Sequence, residues 1–501
     1  MGIPVESREP EIRRHARSMR DGGRPFLAAM VAVMLAASGA RAPAEVIRAT
    51  PADYGAKAGA LKPGDTLVLE AGEYKGLLRL VGLHGRPDAP ITVTGPADPL
   101  EAVFIGREGA NTLEFTDSSY LVVKRLTFDG QNIADDAIKA NDSMRRPVHH
   151  ITLEGNVIRN HGQHQTFVGI NAQVPCWDWV IRGNTLVGAG TGMYFGDSEG
   201  GFPFVRALIE YNLVKDPKGY CLQIKHQNQR PDLEGLSKEP SETIIRYNVF
   251  AKNDAASEIG NRPNVLIDGL PDSGPGSRDR YHVYGNVFIN NPREALFQGT
   301  GRISLHDNIF VSSKFPCVAI QPHSGKTPKS IRIYHNTIVT EQEPIRIVGA
   351  DPNGEVIVVG NLIASNFVRE RMRARLGSNM LLDLDAAHQL FASLSPWPDK
   401  LDLQPKERLG VTIPDAVLKV LAEDIDSGID FARKAKTDWG YCGAFSQAFR
   451  KPQTILKLAG PDAAPDKPPP ASSPAPAQAP RTAESAAVTS GTTGDTRRSS
   501  R

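Results

Sequence analysis

A short phrase built around an asparagine recurs through the middle of the chain and constrains its fold more than any other feature. In each copy two or three residues lead to the asparagine and an apolar pair follows it, as in LEGNVI and IRYNVF. Spacings of 22 to 38 residues between copies are typical of a solenoid built from stacked repeats. The copies centre on Asn156, Asn184, Asn212, Asn248, Asn286, Asn308, Asn336 and Asn361.

The composition of the repeats indicates β-strands rather than helices. The phrases are rich in β-branched residues, are punctuated by glycine and lack an apolar stripe at helical spacing. Short alternating runs lie between them, such as CLQIK at Cys221–Lys225, so each repeat holds at least two strands on different faces. We expect successive coils to pair these strands in parallel, about 4.8 Å apart. The asparagines would form a structural ladder in left-handed turns and would take no part in chemistry.

These features resemble the right-handed parallel β-helix proteins of the pectate-lyase superfamily. KPGDTLVLEAGEY at Lys62–Tyr74 is similar to the first coils of such proteins, and WGYCGAF at Trp439–Phe445 is similar to the segment that closes them. The resemblance covers roughly residues 45–450 and implies an all-β, right-handed parallel β-helix. Such helices carry lyases, hydrolases, epimerases and non-catalytic adhesins, so this fold does not by itself define an activity.

The amino end of the chain has the layout of a secretory signal. Basic residues precede the apolar run Phe26–Ala37, and small residues follow it, which places a signal peptide at 1–44 with cleavage after Ala44. The apolar run has twelve residues, whereas a membrane-spanning helix needs about 20. The mature protein is therefore expected to be periplasmic or secreted and to have no membrane span.

The rest of the chain divides into three predicted parts. These are a β-helix at 45–370, its closing segment at 371–451 and a disordered tail, rich in proline and alanine, at 452–501. The net charge is only +2 at pH 7, whereas nucleic-acid-binding proteins usually carry a basic excess. The composition therefore argues against a nucleic-acid partner.

One outward face of the strands offers candidate ligand-binding residues. Because side chains alternate along a strand, Leu222 and Ile224 should point inward while Gln223 and Lys225 point outward. The same alternation in the other runs predicts two outward rows. One row is Lys139, Asn171, Tyr194, Gln223, Leu266, Phe297, Ala319 and Arg346, and the other is Asn141, Gln173, Gly196, Lys225, Asp268, Gly299, Gln321 and Val348.

The middle of this face is rich in amides and carries a tyrosine, which suits sugar hydroxyls and sugar faces. The candidate substrate-binding residues in these rows are Gln173, Tyr194, Gln223, Asp268 and Gln321. The two longest coil spacings flank the same region, and their extra residues lie at 226–242 and 271–280, after equivalent strands. Insertions on one face of a repeat array are usually binding walls. His226 and Arg230 lie in the first insertion and are further candidate substrate-binding residues.

This region is similar to polysaccharide lyase family 6, which contains alginate lyases and chondroitinase-B-like enzymes. That family has a Lys-Ser pair, a phrase like IIRYNTF and an Arg-His-Gly in succession. Here Lys225-His226, IIRYNVF at Ile244–Phe250 and Arg262-Pro263 follow the same order. The resemblance implies that Lys225 removes the proton α to a uronate carboxylate, and that Arg262 stabilises or protonates the departing oxygen. Both are catalytic candidates, because such chemistry needs cations to offset developing negative charge.

The chain departs from that family at the metal ligands. The lyases carry two acidic calcium ligands before the lysine, at positions held here by Lys218 and Tyr220. Calcium prefers oxygen ligands such as carboxylates, so the resemblance implies calcium while the residues do not match it. The sequence therefore does not decide whether a metal is bound, and it gives no indication of the oligomeric state.

Two hypotheses follow for a polysaccharide partner. The first is an exported enzyme that acts on an acidic polysaccharide by β-elimination or C5 epimerisation, which begin with the same proton abstraction. The second is a non-catalytic β-helix that binds glycan or envelope components. A minor alternative is an inverting glycosidase, for which Asp197 and Glu199 would be the carboxylate pair.

Overall fold

The strands of this protein form three long parallel sheets, which the chain visits in turn from Thr66 to Ala364. The computed structural model describes residues 43–312, 315–367, 377–395 and 399–448. The chain divides after Ala44, and the described helices and strands all belong to the unit that begins at Glu45. The predicted tail and the predicted signal peptide, except for residues 43–44, lie outside the described ranges.

Sheets 1 and 2 have twelve strands each, and neighbouring strands within each sheet come from successive coils. Sheet 1 consists of Val46–Ala49, Thr66–Leu69, Ile91–Thr94, Ser118–Lys124, Val148–Glu154, Val180–Arg182, Leu208–Glu210, Glu242–Arg246, Arg280–Tyr284, Arg302–His306, Ser330–Tyr334 and Glu355–Val359. Sheet 2 consists of Gly72–Tyr74, Ala102–Ile105, Thr127–Asp129, Val157–Arg159, Thr185–Val187, Leu213–Lys215, Val249–Ala251, Val287–Ile289, Ile309–Ser312, Thr337–Thr340, Leu362–Ala364 and Met380–Leu382.

Sheet 3 has ten strands and carries the candidate site. Its strands are Leu78–Val81, Leu113–Thr116, Ile138–Ala140, Val168–Ala172, Thr191–Phe195, Leu222–Ile224, Val265–Ile267, Phe297–Gly299, Val318–Ile320 and Ile345–Ile347. Two short pairs complete the strands, Cys176–Trp177 with Phe204–Val205 and Phe391–Ser393 with Asp402–Pro405. The helices of the described residues are Tyr54–Ala58, Leu384–Leu390 and Asp415–Leu421, with a 3₁₀ turn at Pro99–Glu101.

This topology confirms the predicted all-β parallel β-helix. The interior of the coil is a continuous apolar core in which equivalent side chains stack from one coil to the next. Phe288 and Phe310, for example, stack with ring centroids 4.5 Å apart. No helix in the described ranges combines the length and the apolar character needed to cross a membrane.

The helix Tyr54–Ala58 covers the end of the apolar core at the first coil. Tyr54 and Ala58 are its buried residues. The Tyr54 ring packs edge-on against Tyr74 at 5.2 Å and against Phe104 at 5.6 Å, measured between ring centroids. The core therefore begins under this helix and not at an open end.

The asparagines of the repeated phrase form a buried ladder, as predicted. In each step the side-chain amide Nδ2 donates to the Oδ1 atom of the asparagine on the next coil, at distances such as 2.9 Å from Asn248 to Asn286. The backbone N–H of Asn248 donates to the same Oδ1 atom. The ladder continues past the last predicted member, because Asn361 Nδ2 donates to Oδ1 of Asn379 at 2.8 Å.

The left-handed residue of each turn is not the asparagine, which corrects the sequence-based expectation. The residue just before the asparagine has the positive φ, for example 55° at Tyr247 and 65° at Gly285. The asparagine therefore keeps an ordinary backbone, and its side chain is aligned to bond along the helix axis. Tyrosine at a left-handed position is unusual, and the ladder bonds on either side hold it there.

Removing one ladder side chain should destabilise the protein strongly. The Oδ1 atom of Asn248 accepts from the backbone N–H of Asn212 at 3.0 Å and from its side-chain Nδ2 at 2.9 Å. The Nδ2 atom of Asn248 donates to the Ile209 carbonyl at 2.9 Å. Asn248→Ala leaves these buried groups without partners, and each costs roughly 1–3 kcal/mol. We expect a loss of at least about 3 kcal/mol, measured by urea unfolding. Asn353→Ala, at an exposed loop position, is the control and should change stability by less than about 0.5 kcal/mol. Equal effects of the two substitutions would contradict a structural role for the ladder.

The segment predicted to close the helix, as far as it is described, adds a strand and then returns along the outside of the coils. Met380–Leu382 is the last strand of sheet 2. Beyond it, Leu403, Phe431 and Phe445 pack on the outer face of sheet 2. Ion pairs fix the segment on sheet 1, such as Lys436 Nζ with Asp307 Oδ2 at 2.7 Å. The segment therefore stabilises the flank of the helix as well as its end.

Candidate functional site

A polar cleft with a volume of about 360 Å³ crosses sheet 3 near the middle of the helix. The lining residues come from three consecutive strands of this sheet and from the loops around them. They are Gln165, Thr166, Val168, Asn171, Gln173, Thr191, Tyr194, Tyr220, Gln223, Lys225, Ile259 and Arg262. Two of these described residues are cations and none is an acid, so the lining favours an anionic ligand.

The floor of the cleft is a row of polar side chains on adjacent strands. Tyr194 pairs in register with Asn171 on one side and with Gln223 on the other. The side chain of Asn171 is fixed by a hydrogen bond, because its Nδ2 donates to Asp136 Oδ2 at 2.8 Å. Burial raises the pKa of Tyr194, so its phenol stays protonated at neutral pH. The floor thus offers amides and a phenol, groups that suit sugar hydroxyls.

Arg262 and Tyr220 face each other in the cleft. The guanidinium carbon of Arg262 lies 5.7 Å from the centroid of the Tyr220 ring, in a cation–π arrangement. Burial raises the pKa of Tyr220 to about 12, although the charge of Arg262 acts to lower it. Lys252 donates to the Arg262 carbonyl at 3.2 Å and fixes the backbone there. A protonated phenol and a fixed cation are therefore presented together.

Residues 252–264, called the strap, run from sheet 2 to sheet 3 and form one wall of the cleft. Glu258 pairs with Lys218 and accepts from the backbone N–H of Gln165 at 3.0 Å. The Ile259 N–H donates to Gln165 Oε1 at 2.9 Å. The strap thus reaches back across two coils and places Ile259 and Arg262 along the cleft.

The structure brings together five of the nine residues that the sequence analysis singled out. The two catalytic candidates, Lys225 and Arg262, line the same cleft. Gln173, Tyr194 and Gln223 line it with them.

Two of the other candidates, Arg230 and Asp268, are held by bonds within the protein, and His226 lies close to Asp268. Arg230 has a side chain that is 1% exposed, pairs with Asp279 and donates to the Ser237 carbonyl. Asp268 is fully buried, and its Oδ2 atom accepts from His323 and Ser324 at 2.8 Å each. His226 Nδ1 lies 3.9 Å from Asp268 Oδ2 and is buried without a hydrogen-bond partner among the described residues. None of these three residues lines the cleft.

Gln321 keeps its predicted place in the outward row, but it follows a strand of sheet 3 that lies three strands beyond Leu222–Ile224, and it does not line the cleft. The predicted rows are wrong at two positions between these strands. Leu266 pairs with Gln298, not with Phe297, which is buried in the core. The other row passes through Thr300, whose N–H donates to the Ile267 carbonyl, instead of Gly299. Both rows return to the predicted register on the next strand, where Gln298 pairs with Ala319 and Gly299 pairs with Ile320.

The walls of the cleft differ from the predicted ones. The insertions at 226–242 and 271–280 contact each other, as in the bond from Gln229 Nε2 to Ser273 Oγ at 3.4 Å. Neither insertion contributes a lining residue. The strap, which comes before the strand Val265–Ile267, forms a wall of the cleft instead of these insertions.

Sequence reasoning missed the lining residues that come before the strands. Tyr220 stands directly before the Cys221 run and was noted only as a departure from the lyase pattern. Thr191 and Val168 pair in register at the starts of their strands, so extending each run by one residue would have found this row. Nothing in the sequence indicates that Ile259 docks on Gln165, 94 residues away.

The residues present do not fit a calcium site. Lys218 uses its ammonium group to hold Glu258, and Tyr220 packs against Arg262. In the described parts of the chain no three His, Cys, Asp or Glu side chains gather closely enough to hold a metal ion. The carboxylate pair of the glycosidase alternative is not part of the cleft, because neither Asp197 nor Glu199 lines it. Asp197 Oδ1 accepts from the Phe202 N–H within its own loop.

The fold and the cleft define a parallel β-helix protein with a polar, cation-bearing groove on one sheet. No protein-family model and no curated protein matches the chain. Among solved structures it is similar to a polysaccharide lyase family 6 alginate lyase, at 13% identity and a TM-score of 0.41, with 68% of this chain and 53% of that chain aligned. The chain thus spans about half the length of that protein.

Two further solved structures cover more of their own length. A family 6 polysaccharide lyase from Pseudopedobacter saltans has 14% identity and a TM-score of 0.41, with 67% of this chain and 92% of that chain aligned. The A-module of a mannuronan C-5 epimerase from Azotobacter vinelandii has 14% identity and a TM-score of 0.37, with 67% and 94% aligned. The predicted resemblance to β-helix proteins is confirmed for the fold, which the strand pairing itself establishes.

Proposed function

We propose that the protein is exported and acts on an acidic polysaccharide, by β-elimination or by C5 epimerisation. The observation that carries the proposal is the joint placement of Lys225 and Arg262 in a cleft whose other polar groups are amides, hydroxyls and phenols. A uronate chain needs such a lining, since it presents one carboxylate and several hydroxyls on each sugar. The two cations would attract and orient the carboxylate.

In this proposal the Lys225 amine takes the proton from the carbon next to the uronate carboxylate. In β-elimination the C–H electron pair forms a carbon–carbon double bond, the bond to the glycosidic oxygen breaks, and that oxygen leaves with the bond's electrons and picks up a proton. In epimerisation a proton returns to the opposite face of the same carbon. Arg262 remains charged throughout and offsets the negative charge that develops on the substrate.

Tyr220 is the proposed proton donor to the departing oxygen. Its pKa of about 12 keeps it protonated at neutral pH, which suits a donor and not a base. No step in this scheme requires calcium, in line with the residues at positions 218 and 220.

The proposal is tested by incubating the protein that begins at Glu45 with alginate, pectate and glycosaminoglycans. We expect the absorbance of an unsaturated uronate product with one of them, or exchange of the C5 proton with solvent detected by NMR. Chelation of calcium should leave the rate unchanged. Absence of both signals across the panel would contradict enzymatic action on acidic polysaccharides.

A second candidate function is non-catalytic glycan binding, favoured by the replacement of acidic residues by Lys218 and Tyr220. It predicts saturable binding without turnover. Tyr194→Ala would then weaken binding more than Lys225→Ala, because the ring offers contact area to a sugar face. Turnover that disappears with Lys225→Ala would exclude this candidate.

A further inference from the structure

The floor of the cleft ends one strand beyond Lys225. Lys225 and Asp268 hold equivalent outward positions on neighbouring strands, because the Lys225 N–H donates to the Phe195 carbonyl and the Asp268 N–H donates to the Ile224 carbonyl. Lys225 lines the cleft, whereas the side chain of Asp268 is 0% exposed. In the other row Leu266, next to Gln223, is 1% exposed and does not line the cleft either.

Residues 321–326, called the end hairpin, cover the position of Asp268. His323 and Lys326 exchange two backbone hydrogen bonds, at 3.1 and 2.8 Å, which close the hairpin. His323 Nδ1 and Ser324 Oγ both donate to Asp268 Oδ2 at 2.8 Å. Lys326 packs so closely over Gly269 that a side chain at position 269 would collide with the Cβ atom of Lys326.

The carboxylate of Asp268 is a firm anchor for this hairpin. Burial acts to raise its pKa, but the hydrogen bonds from His323, Ser324 and the Gly269 N–H, together with the electrostatic attraction of His323, lower it overall. The ionised carboxylate is therefore the state that holds the hairpin, and charge-assisted hydrogen bonds of this kind are stronger than neutral ones.

The sheet is open in the other direction. The positions equivalent to Gln223 continue from Asn171 to Lys139, Glu114 and Arg79 on successive strands. The side chains of Lys139, Glu114 and Arg79 are 22%, 27% and 68% exposed. A long ligand could therefore extend from the cleft toward the first coils.

We propose that the cleft takes the end of an acidic sugar chain and not its middle, because the end hairpin blocks it just beyond Lys225. The inference rests on the proposed function and adds the part of the polymer that is recognised. Strands in a parallel sheet lie about 4.8 Å apart, so the end hairpin stands only one strand spacing beyond Lys225 and leaves no room for a long chain on that side. When the reaction is β-elimination, the chain is then shortened from one end and small products are released; when it is epimerisation, residues near one end are converted first.

The product sizes of the wild-type protein test this inference. On the polysaccharide that yields product, we expect small products from the earliest times, while the mean length of the remaining polymer, followed by size-exclusion chromatography, falls slowly. A rapid fall in polymer length at the same extent of reaction would overturn the inference and leave the proposed function standing. If a polysaccharide is epimerised and not shortened, or if none is turned over and the proposed function fails, a competition binding assay decides whether chain ends or chain interiors are recognised. At equal mass of sugar, fragments with tenfold more ends should then compete about tenfold better, and equal competition would overturn the inference.

Loosening the end hairpin gives an independent test. The double variant H323A/S324A removes both donors to Asp268 and should shift the early products to longer chains, or remove the preference for fragments in the binding assay. K329A is the matched control, since Lys329 lies just beyond the hairpin and pairs with the exposed Asp272; it should keep the wild-type pattern. A folded double variant, checked by circular dichroism, that retained the wild-type products and the wild-type preference for fragments would overturn the role of the hairpin.

Discussion

Lys225→Ala is expected to reduce turnover of the polysaccharide by about 10²- to 10⁴-fold, the range that general-base catalysis usually contributes. Lys225 follows the strand Leu222–Ile224, and its backbone N–H donates to the Phe195 carbonyl at 2.9 Å, so the substitution removes the side chain and keeps this bond. The measurement is the initial rate of product absorbance, or of C5 proton exchange, at saturating substrate.

Lys225→Arg separates a base from a binding cation. Arginine keeps the positive charge but is not deprotonated in proteins, so this variant should lose kcat as fully as the alanine variant while KM changes little. Lys215→Ala is the control, because Lys215 is an exposed lysine on sheet 2 and should retain the wild-type rate. An active arginine variant would contradict proton abstraction by Lys225.

Lys436→Met is expected to destabilise the protein by about 3–5 kcal/mol, the usual cost of breaking a buried ion pair. The Lys436 side chain is 0% exposed, and that of its partner Asp307 is 2% exposed. Its Nζ atom also lies 4.8 Å from the ring centroid of Trp439 and 5.7 Å from that of Tyr334. Methionine fills much of the volume but leaves a buried carboxylate without a cation.

The loss should depend on pH. Burial raises the pKa of Asp307 to about 7, and Lys436 acts to lower it, so removing Lys436 raises this pKa further. A carboxyl whose pKa is raised in the folded state loses stability as pH rises, so the deficit of the variant should be larger at about pH 8 than at about pH 5. Urea unfolding measures both values. Lys434→Met, at an exposed position nearby, should change stability by less than about 0.5 kcal/mol, and a deficit that did not vary with pH would contradict the assignment to Asp307.

The sequence predicts the solenoid because its signal is periodic. Each coil from Asn156 onward places an asparagine at the same corner, so the phrase around Asn248 or Asn336 repeats although the loops differ in length. The left-handed residue before it varies between glycine, tyrosine, aspartate and histidine, and for that reason the pattern does not reveal it.

The site is predicted less completely, because alternation fails where both faces of a strand are buried. Leu296 and Phe297 are both 0% exposed, so hydrophobicity does not tell which of them points outward, and the predicted row slips there. The docking of Ile259 on Gln165 joins residues 94 positions apart. Such contacts depend on which coils become neighbours and leave no local pattern.

The helix Tyr54–Ala58 has a consequence for how separate molecules behave. An open end of a β-helix would expose its apolar core, and exposed apolar surface promotes association between molecules. Tyr54 packs on Tyr74 and Phe104 and so covers the core at the first coil. A second molecule can join its own core to this end only by displacing the helix, so the fold opposes head-to-tail stacking through the core there.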